Sequence, residues 1–168
     1  IGYPADNIDG VSIDYRFFGV NNYFAQSRPD IAEFVGKGRT TVHEVGHYLG
    51  LRHIWGDYGN VFNLPCNNAT HNLFFSDGMD DTPPCKAPFS STIGEYRCDT
   101  TVNTCVIPYK GTDYPDLFEN FMDYSGDACY NMFTKDQAAF LRFVLSTRRA
   151  GIVSKREVET VSNIKIQN

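Results

Sequence analysis

The sequence predicts an α+β domain whose two lobes enclose a cleft. Three observations lead to this prediction. Residues 11–18 alternate apolar and polar side chains with a period of two, which is typical of a half-buried strand. Residues 40–49 and the stretch after Thr134 place apolar side chains at helical spacing. Between them, from Gly56 to about Ile107, Gly, Pro, Asn and Asp are frequent and periodicity is weak, which favours irregular structure.

Length and composition fit one domain with a single core. The chain has 168 residues, of which 42% are hydrophobic. No apolar run approaches the roughly 18 residues needed to cross a bilayer, and no charged-then-apolar leader opens the chain. The formal net charge is -5, and no basic stripe is available to replace phosphate counterions. We therefore expect neither a membrane nor a nucleic acid as a partner.

The first elements in chain order are a loop, a strand and a helix. Residues 1–9 contain Gly, Pro and Asp-Asn turn signals, and the strand at residues 11–18 should lay one face on the helix that follows. Thr40 or Thr41 is a natural N-cap for that helix, and Gly50 should end it because glycine enters the left-handed region at little cost. The side chains expected to form its buried stripe are Val42, Val45 and Leu49.

The last predicted helix begins after Thr134, which can cap it, and ends near Arg148, Arg149 and Gly151 with charge suited to a helix C-terminus. Its expected apolar stripe consists of Ala138, Phe140, Leu141, Val144 and Leu145. The domain organisation we expect is an upper lobe at residues 1–53, a lower lobe at 54–152, and a tail or linker at 153–168. The two lobes together form one domain.

The segment His43-Glu44-Val45-Gly46-His47 places two imidazoles one helical turn apart on the same face, where both can reach one metal ion. His53 lies just past the turn at Gly50, and a third imidazole leaves one zinc position open for water, as in catalytic sites. The Glu44 carboxylate stands beside the metal and can take a proton from water. His-Glu-x-x-His alone also occurs by chance on amphipathic helices, but the added glycine and third histidine make the pattern much stricter.

The extended motif resembles the zinc signature of the metzincin metallopeptidases. Residues 43–53 read H-E-V-G-H-Y-L-G-L-R-H, and Ile54-Trp55-Gly56-Asp57 is similar to the pappalysin branch. Residues 120–124, Asn-Phe-Met-Asp-Tyr, resemble the Met-turn of that branch, and residues 127–134 continue the similarity. The resemblance implies a zincin-like fold, with a small mixed sheet and the zinc helix above the cleft and an irregular, disulfide-tied lower lobe with a C-terminal helix below.

The resemblance also implies roles for two residues of the second motif. Met122 would form an apolar floor beneath the three imidazoles without binding the metal. Tyr124 would approach the zinc and donate a hydrogen bond to the oxyanion of a tetrahedral intermediate. A tyrosine in a turn can also be a plain surface residue, which is the alternative explanation for Tyr124.

Residues 76–84, Ser-Asp-Gly-Met-Asp-Asp-Thr-Pro-Pro, combine carboxylates, a glycine and a hydroxyl, which suits a hard cation such as calcium. The spacing is not that of an EF-hand, and a solvated acidic turn explains the pattern equally well. The resemblance to ulilysin-like pappalysins favours calcium. It implies as ligands Asp77, the Met79 carbonyl, Asp81 and Thr82.

Five cysteines follow the predicted zinc helix, at positions 66, 85, 98, 105 and 129. No C-x-x-C pair occurs, so disulfides formed in an oxidising compartment are favoured over a zinc finger. The resemblance implies bridges between Cys66 and Cys105 and between Cys98 and Cys129, with Cys85 left over. On the sequence alone, a bridge between Cys85 and Cys129 with a local bridge between Cys98 and Cys105 stays open.

The resemblance further implies a backing helix and several strands before the zinc helix, whereas only residues 1–41 stand there. A sheet of one or two strands would leave the apolar face of that helix uncovered. We therefore expect an N-terminally incomplete chain, whose partner is a missing segment or pro-segment of the same protein or a separate, nicked piece of it. An unusually small upper lobe is the alternative.

These residues lead us to expect a secreted zinc endopeptidase that acts on proteins or peptides. A serine nucleophile is disfavoured because no G-x-S-x-G element occurs. The resemblance to the pappalysins implies a preference for a basic residue just after the scissile bond, and the acidic stretches at residues 77–81 and 113–119 support it. The alternatives are a catalytically silent, zinc-containing binding module and a zinc hydrolase that acts on small amides.

Overall fold

The structure, a computed structural model, describes residues 9–57, 76–86, 98–106 and 111–152. Within these ranges β-structure is limited to two isolated bridges, antiparallel between Val20 and Lys37 and parallel between Asn120 and Met132. The small mixed sheet that we expected is therefore not seen there. No helix in the same ranges is long and apolar enough to span a membrane. The helical elements are a 3-10 turn at Tyr15–Phe17, α1 at Tyr23–Ser27, a second 3-10 turn at Pro29–Ile31, α2 at Ala32–Val35, α3 at Thr40–Tyr48 and α4 at Lys135–Thr147.

The strand predicted at residues 11–18 is wrong, because Tyr15–Phe17 form a 3-10 turn and residues 11–14 are irregular. Asp14 explains the difference. Its carboxylate accepts the amide N–H of Arg16 at 3.0 Å, and its carbonyl accepts that of Phe17 at 2.9 Å. These local hydrogen bonds compete with the backbone pairing of a strand. The alternation of side chains does not identify a neighbouring strand with which residues 11–18 could pair.

Helix α3 begins at Thr40 with Arg39 in the N-cap position, so the cap predicted at Thr40 or Thr41 is wrong. A carboxylate from far along the chain lies at this end instead. Asp127 Oδ2 accepts the backbone N–H groups of Lys37 at 2.8 Å and Arg39 at 3.3 Å, and Asp127 N donates to the Phe34 carbonyl at 2.7 Å. The start of α3 is therefore held by a residue 90 positions from Lys37.

The other end of α3 is held by α4. Gly50 has φ +90°, so the predicted glycine turn is present, and its N–H donates to the His47 carbonyl at 2.8 Å. Arg149, just beyond α4, donates from Nε to the Tyr48 carbonyl at 3.1 Å, and its guanidinium lies 3.7 Å from the centroid of the Tyr48 ring. A cation at a helix C-terminus is electrostatically favourable. Arg149 also forms an ion pair with Asp9.

Helix α4 begins where the sequence predicts. Thr134 Oγ1 accepts Gln137 N at 3.2 Å, and Gln137 Oε1 accepts Thr134 N at 3.0 Å, which makes a capping box. Val144 is 1% exposed, and Phe140 and Leu141 pack against the main core. The apolar stripe of α4 therefore packs against the same core that contacts α3.

The main core consists of Leu51, Ile54, Trp55, Cys85 and Met122. It lies against one face of α3, where a Cβ added to Gly46 would come 2.5 Å from Met122 Sδ. The prediction that Val45 is buried is wrong, since Val45 is 39% exposed while His43 is 4% exposed. Successive helical residues point about 100° apart, so the close approach at Gly46 turns Val45 away from the core.

Buried hydrogen bonds between side chains connect the irregular segments to helix α4. Asn120 Nδ2 donates to Gln137 Oε1 at 2.7 Å, and Gln137 Nε2 donates to Asp77 Oδ2 at 3.0 Å. Thr82 Oγ1 also donates to Asp77 Oδ2, at 3.0 Å. The turn after residue 119, the start of α4 and residues 77–82 are thus connected through one buried network.

Cys98 and Cys129 are joined by a disulfide, the pairing that the resemblance implies. This bridge excludes the alternative in which Cys129 pairs with Cys85, and Cys85 is a buried free thiol. Cys105 is also disulfide-bonded. Its expected partner, Cys66, lies outside the described residues, as do residues 1–8 of the loop predicted at residues 1–9 and the tail predicted at 153–168.

Candidate metal centre

Three histidine side chains converge on one point beside the core. His47 Nε2 lies 3.0 Å from His43 Nε2 and 3.0 Å from His53 Nε2. Helix α3 supplies His43 and His47 one turn apart, and the chain reversal at Gly50 returns His53 to the same point. In the described part of the chain, this is the only group of three or more His, Cys, Asp or Glu side chains with ligand atoms close enough to share a metal ion.

The opposite ring nitrogen of each histidine faces an oxygen that can only accept a hydrogen bond. The pairs are His43 Nδ1 with Phe121 O at 2.6 Å, His47 Nδ1 with Leu51 O at 2.9 Å, and His53 Nδ1 with Asp57 Oδ1 at 2.9 Å. Each Nδ1 therefore carries a proton and donates it. In the neutral imidazole the remaining nitrogen, Nε2, then bears a lone pair.

Three lone pairs that face one another at about this distance repel unless a cation lies between them, so the donor set fits a metal ion. Tetrahedral zinc with Zn–N bonds of about 2.1 Å holds its ligand nitrogens about 3.4 Å apart, close to the separations here. Burial, reinforced by the neighbouring histidines, lowers the pKa of both His43 and His53 to about 4. Both rings are therefore neutral, and able to bind a metal, at physiological pH.

The turn at residues 120–124 contacts both helix α3 and the ring of His43. Met122 is fully buried, its sulfur packs against Gly46 of α3, and its N–H is held by Asn120 Oδ1 at 2.8 Å. The backbone carbonyl of the preceding residue, Phe121, accepts the hydrogen bond from the His43 ring. One turn thus supplies both the apolar contact beneath α3 and a hydrogen bond that orients a predicted ligand.

Tyr124, for which the resemblance implies a role near the metal, lies against the histidine cluster. Its ring centroid is 5.4 Å from that of His43 and 4.9 Å from that of His53, and 43% of the residue is exposed. Burial, followed by the negative charge of Glu44, raises the pKa of the Tyr124 hydroxyl. The hydroxyl therefore keeps its proton at neutral pH and can donate a hydrogen bond. Glu44 lies in α3 directly after His43 and is half-buried.

The structure brings two further residues to the site, Trp55 and Asp57, which the sequence analysis noted only as part of the family resemblance and to which it gave no role. The Trp55 ring stacks on the His53 ring, with centroids 4.4 Å apart and planes 10° apart, and Asp57 accepts the His53 Nδ1–H. A carboxylate four positions after a predicted ligand, in a short turn, is a signal that could have identified Asp57. The stacking of Trp55 depends on how the turn folds and has no such signal.

The residues predicted to bind calcium form a hydrogen-bonded turn. Asp77 Oδ1 accepts Met79 N at 3.1 Å, and the side chain of Thr82 also donates to this carboxylate. Asp81 Oδ2 accepts Asp136 N at 2.9 Å, while its buried Oδ1 has no hydrogen-bond partner in the described ranges. Burial raises the pKa of Asp77 to about 6. The residues predicted to bind calcium therefore lie in one turn. Among the described residues, however, they do not form a group of three or more His, Cys, Asp or Glu side chains close enough to share a metal ion.

Comparisons with known proteins identify the family of the chain. The family model for peptidase M43, described as pregnancy-associated plasma protein-A, matches residues 2–146. An extracellular metalloprotease of Arthroderma benhamiae is 34% identical over 120 residues, which cover 71% of this chain and 34% of that protein. Extracellular metalloprotease 1 of Coccidioides posadasii is 33% identical over 114 residues, covering 68% of this chain and 33% of that protein. The chain thus spans about a third of the length of these curated relatives.

A structure of mature mirolysin from Tannerella forsythia, in complex with a cleaved peptide, is similar over 82% of this chain and 50% of that one, with 28% identity and a TM-score of 0.48. The resemblance noted in the two sequence motifs is therefore confirmed by a family match across most of the chain. The chain belongs to the M43, or pappalysin, family of peptidases.

Proposed function

We propose that this chain forms the catalytic site of a secreted zinc-dependent endopeptidase. The observation that carries the proposal is the convergence of three Nε2 lone pairs, from His43, His47 and His53, each fixed by a hydrogen bond on the other side of its ring. Membership of the M43 family and the similarity to proteins named extracellular metalloproteases support both the activity and the location. Zinc bound there would supply a Lewis acid that polarises the scissile carbonyl and makes water more acidic.

Three residues of the chain have the remaining roles in peptide hydrolysis. Glu44 accepts a proton from the attacking water and passes it to the leaving amine, so no covalent intermediate with the protein is needed. Tyr124, whose raised pKa keeps it protonated, donates a hydrogen bond to the oxyanion that forms on the carbonyl. Met122 supports the helix that carries the first two histidines and takes no part in proton transfer.

The test of this proposal is Glu44→Gln in the full-length protein. Loss of a general base should lower the rate of casein or peptide cleavage by roughly 10²- to 10⁴-fold. Elemental analysis should still find one zinc per chain, because the carboxylate is not a ligand. Cleavage at the rate of the unmodified protein would remove Glu44 from this role. Failure of o-phenanthroline to inhibit the unmodified protein would contradict metal-dependent hydrolysis itself.

We also propose calcium at the turn formed by residues 77–82, with Asp77, the Met79 carbonyl, Asp81 and Thr82 as ligands. Two features support it: Asp77 is only 4% exposed, and Asp81 Oδ1 is buried without a hydrogen-bond partner among the described residues. A hard divalent cation satisfies such oxygens. Calcium should raise the thermal midpoint of the protein, and Asp81→Asn should reduce that rise. An equal rise in both proteins would contradict the site.

The substrates we propose are polypeptides with a basic residue after the scissile bond. Asp80 and Asp113 support this because both are exposed and acidic, whereas Asp116 in the same region is buried and cannot contact a substrate. A peptide library digested by the protein and read by mass spectrometry should show Lys or Arg enriched on that side of the cut. An apolar preference would contradict the proposal.

A further inference from the structure

The three histidines differ in what holds the outer nitrogen of each ring. His43 and His47 donate their Nδ1–H to backbone carbonyls, those of Phe121 and Leu51. His53 donates to the carboxylate of Asp57 at 2.9 Å. Of the three acceptors, only Asp57 is a side chain and only Asp57 carries a charge. It is therefore the only acceptor that a substitution can remove.

His53 also depends more than the other two on contacts outside a helix. It lies beyond α3, in a segment where residues 51–53 have no regular structure. The chain turns back at once, because Gly56, at φ +82°, donates its N–H to the His53 carbonyl at 2.9 Å. Asp57 Oδ1 accepts the backbone N–H of His53 at 3.3 Å as well as the ring N–H.

The ring is held on its face as well as at its edge. Trp55, which is 7% exposed and part of the main core, stacks on the His53 ring at 4.4 Å with the planes 10° apart. Stacking fixes the plane of the imidazole but still permits a half-turn of the ring about its Cβ–Cγ bond, which exchanges the positions of the nitrogens and the ring carbons. The hydrogen bond to Asp57 removes this freedom, because it fixes the direction in which Nδ1, and hence the opposite Nε2, points.

We infer that Asp57 is a positioning residue for the third metal ligand: it holds His53 with the proton on Nδ1, aims the Nε2 lone pair at the point shared with His43 and His47, and strengthens that donor through its negative charge. The inference rests on the proposed function, because it takes the three histidines as the metal ligands. Outer hydrogen-bond partners of ligating histidines contribute about 10- to 100-fold to metal affinity in other metalloproteins.

The test compares Asp57→Ala with Asp57→Asn in the full-length protein, with zinc affinity measured by competition against a chelator of known affinity. Asp57→Ala removes the acceptor and should weaken zinc binding about 10- to 100-fold. Asp57→Asn keeps an amide oxygen that can accept the Nδ1–H, so it should recover most of that loss. Asp57→Ser, too short to reach Nδ1, should behave like the alanine variant and replaces it if that variant does not fold.

The matched control is Asp30→Ala, another exposed aspartate, which pairs with Arg28 at 2.6 Å. It should leave zinc affinity unchanged. Zinc affinity of Asp57→Ala within twofold of the unmodified protein would overturn the inference, and so would equal losses in the alanine and asparagine variants, because an amide acceptor should restore position. The readout is independent of peptide cleavage. A protein that binds zinc but cuts no peptide would refute the proposed protease and still allow the role of Asp57 to be decided.

Discussion

At the scale of single residues, the packing around Gly46 decides how a substitution there changes the stability of the protein. A glycine in the middle of a helix is unfavourable by about 1 kcal/mol relative to alanine, so helix propensity alone predicts that Gly46→Ala stabilises α3. The packing argues the opposite, since the added Cβ would lie 2.5 Å from Met122 Sδ and 3.6 Å from Leu51 Cδ1. Close contact with a buried methionine in a filled core outweighs a gain of that size.

We therefore expect Gly46→Ala to lower the free energy of unfolding by about 1 to 3 kcal/mol, the usual range for overpacking. Urea denaturation measures it. Met122→Ala alone should also destabilise, through the cavity it leaves. In the double variant the new methyl occupies part of that cavity, so the combined loss should be smaller than the sum of the two. Additive losses would show that the two residues are not in contact.

The carboxyl group of Asp116 has an unfavourable environment when ionised. The residue is 4% exposed, Oδ1 accepts Thr104 N at 3.0 Å, and Oδ2 has no hydrogen-bond partner in the described ranges. Burial raises the pKa of Asp116. The folded state then binds the proton more tightly than the unfolded state, so this group's contribution to stability falls as pH rises from about 3.9 through the raised pKa.

Asp116→Asn should therefore be more stable than the unmodified protein at pH 7, because the amide keeps one oxygen acceptor and carries no charge. The difference should shrink as the pH falls to about 3, which is below both the ordinary and the raised pKa, so that the aspartate is itself protonated. Urea midpoints at both pH values measure it. The control is Asp113→Asn at an exposed position, which should change stability little at either pH. A less stable Asp116→Asn at pH 7 would show that the charge is favourable.

At the scale of elements, helix α3 is fixed at both ends by residues outside it. Asp127 accepts N–H groups at its start, and Arg149 donates to the Tyr48 carbonyl at its end. The helix has nine residues, which is too short to be stable alone, since isolated helices under about 12 residues are marginal in water. The direction in which His43 and His47 point is therefore set by these distant anchors and by Met122.

Asp127→Ala should loosen the start of α3 because it leaves the N–H groups of Lys37 and Arg39 without their acceptor. Both hydrogen bonds are part-buried, and a hydrogen bond to a charged group contributes about 1.5 to 3 kcal/mol, so we expect a loss of about 2 to 4 kcal/mol in the free energy of unfolding. Asp127→Asn keeps one acceptor oxygen and should lose less. Amide hydrogen exchange at residues 37 and 39 should accelerate in the alanine variant. Unchanged exchange there would contradict the anchoring role.

What the sequence predicted of these elements depended on how local each signal is. The capping box at Thr134 and the glycine turn at Gly50 involve neighbouring residues, and both are present. The start of α3 was misassigned because its anchor, Asp127, lies far along the chain. The strand at residues 11–18 failed because alternation does not identify a pairing partner, and Val45 was placed inside because the pattern could not show how closely Met122 approaches Gly46.

In the candidate site, too, the local features could be predicted from the sequence and the long-range contacts could not. Spacing along one helix and across one turn is enough to predict that His43, His47 and His53 lie together. Their outer acceptors could not be predicted in the same way, since Phe121 lies 78 residues from His43 in sequence. Even Leu51, four residues from His47, becomes an acceptor only through the chain reversal at Gly50.

At the scale of the whole molecule, the described residues contain few regular elements, and long-range contacts hold them together. Arg149 pairs with Asp9, Gln137 reaches Asp77 across 60 residues, and Cys98 is bonded to Cys129 across 31. The disulfide connects residues 98–106 to the segment that also contains Met122, Tyr124 and Asp127. Its contribution should therefore appear both in global stability and in the order of that segment.

Cys98→Ala tests this contribution with little loss of packing, because Cys98 is exposed whereas Cys129 is 3% exposed and stays in place. Closing a loop across the 31-residue separation should stabilise the fold by about 3 to 4 kcal/mol in the chain-entropy model, so the variant should lose about that much in urea. Thiol titration of the denatured protein should find one more thiol than before. Val106→Ala, an exposed change nearby, should leave the urea midpoint in place, and an unchanged midpoint for Cys98→Ala as well would show that the bridge does not constrain the unfolded chain.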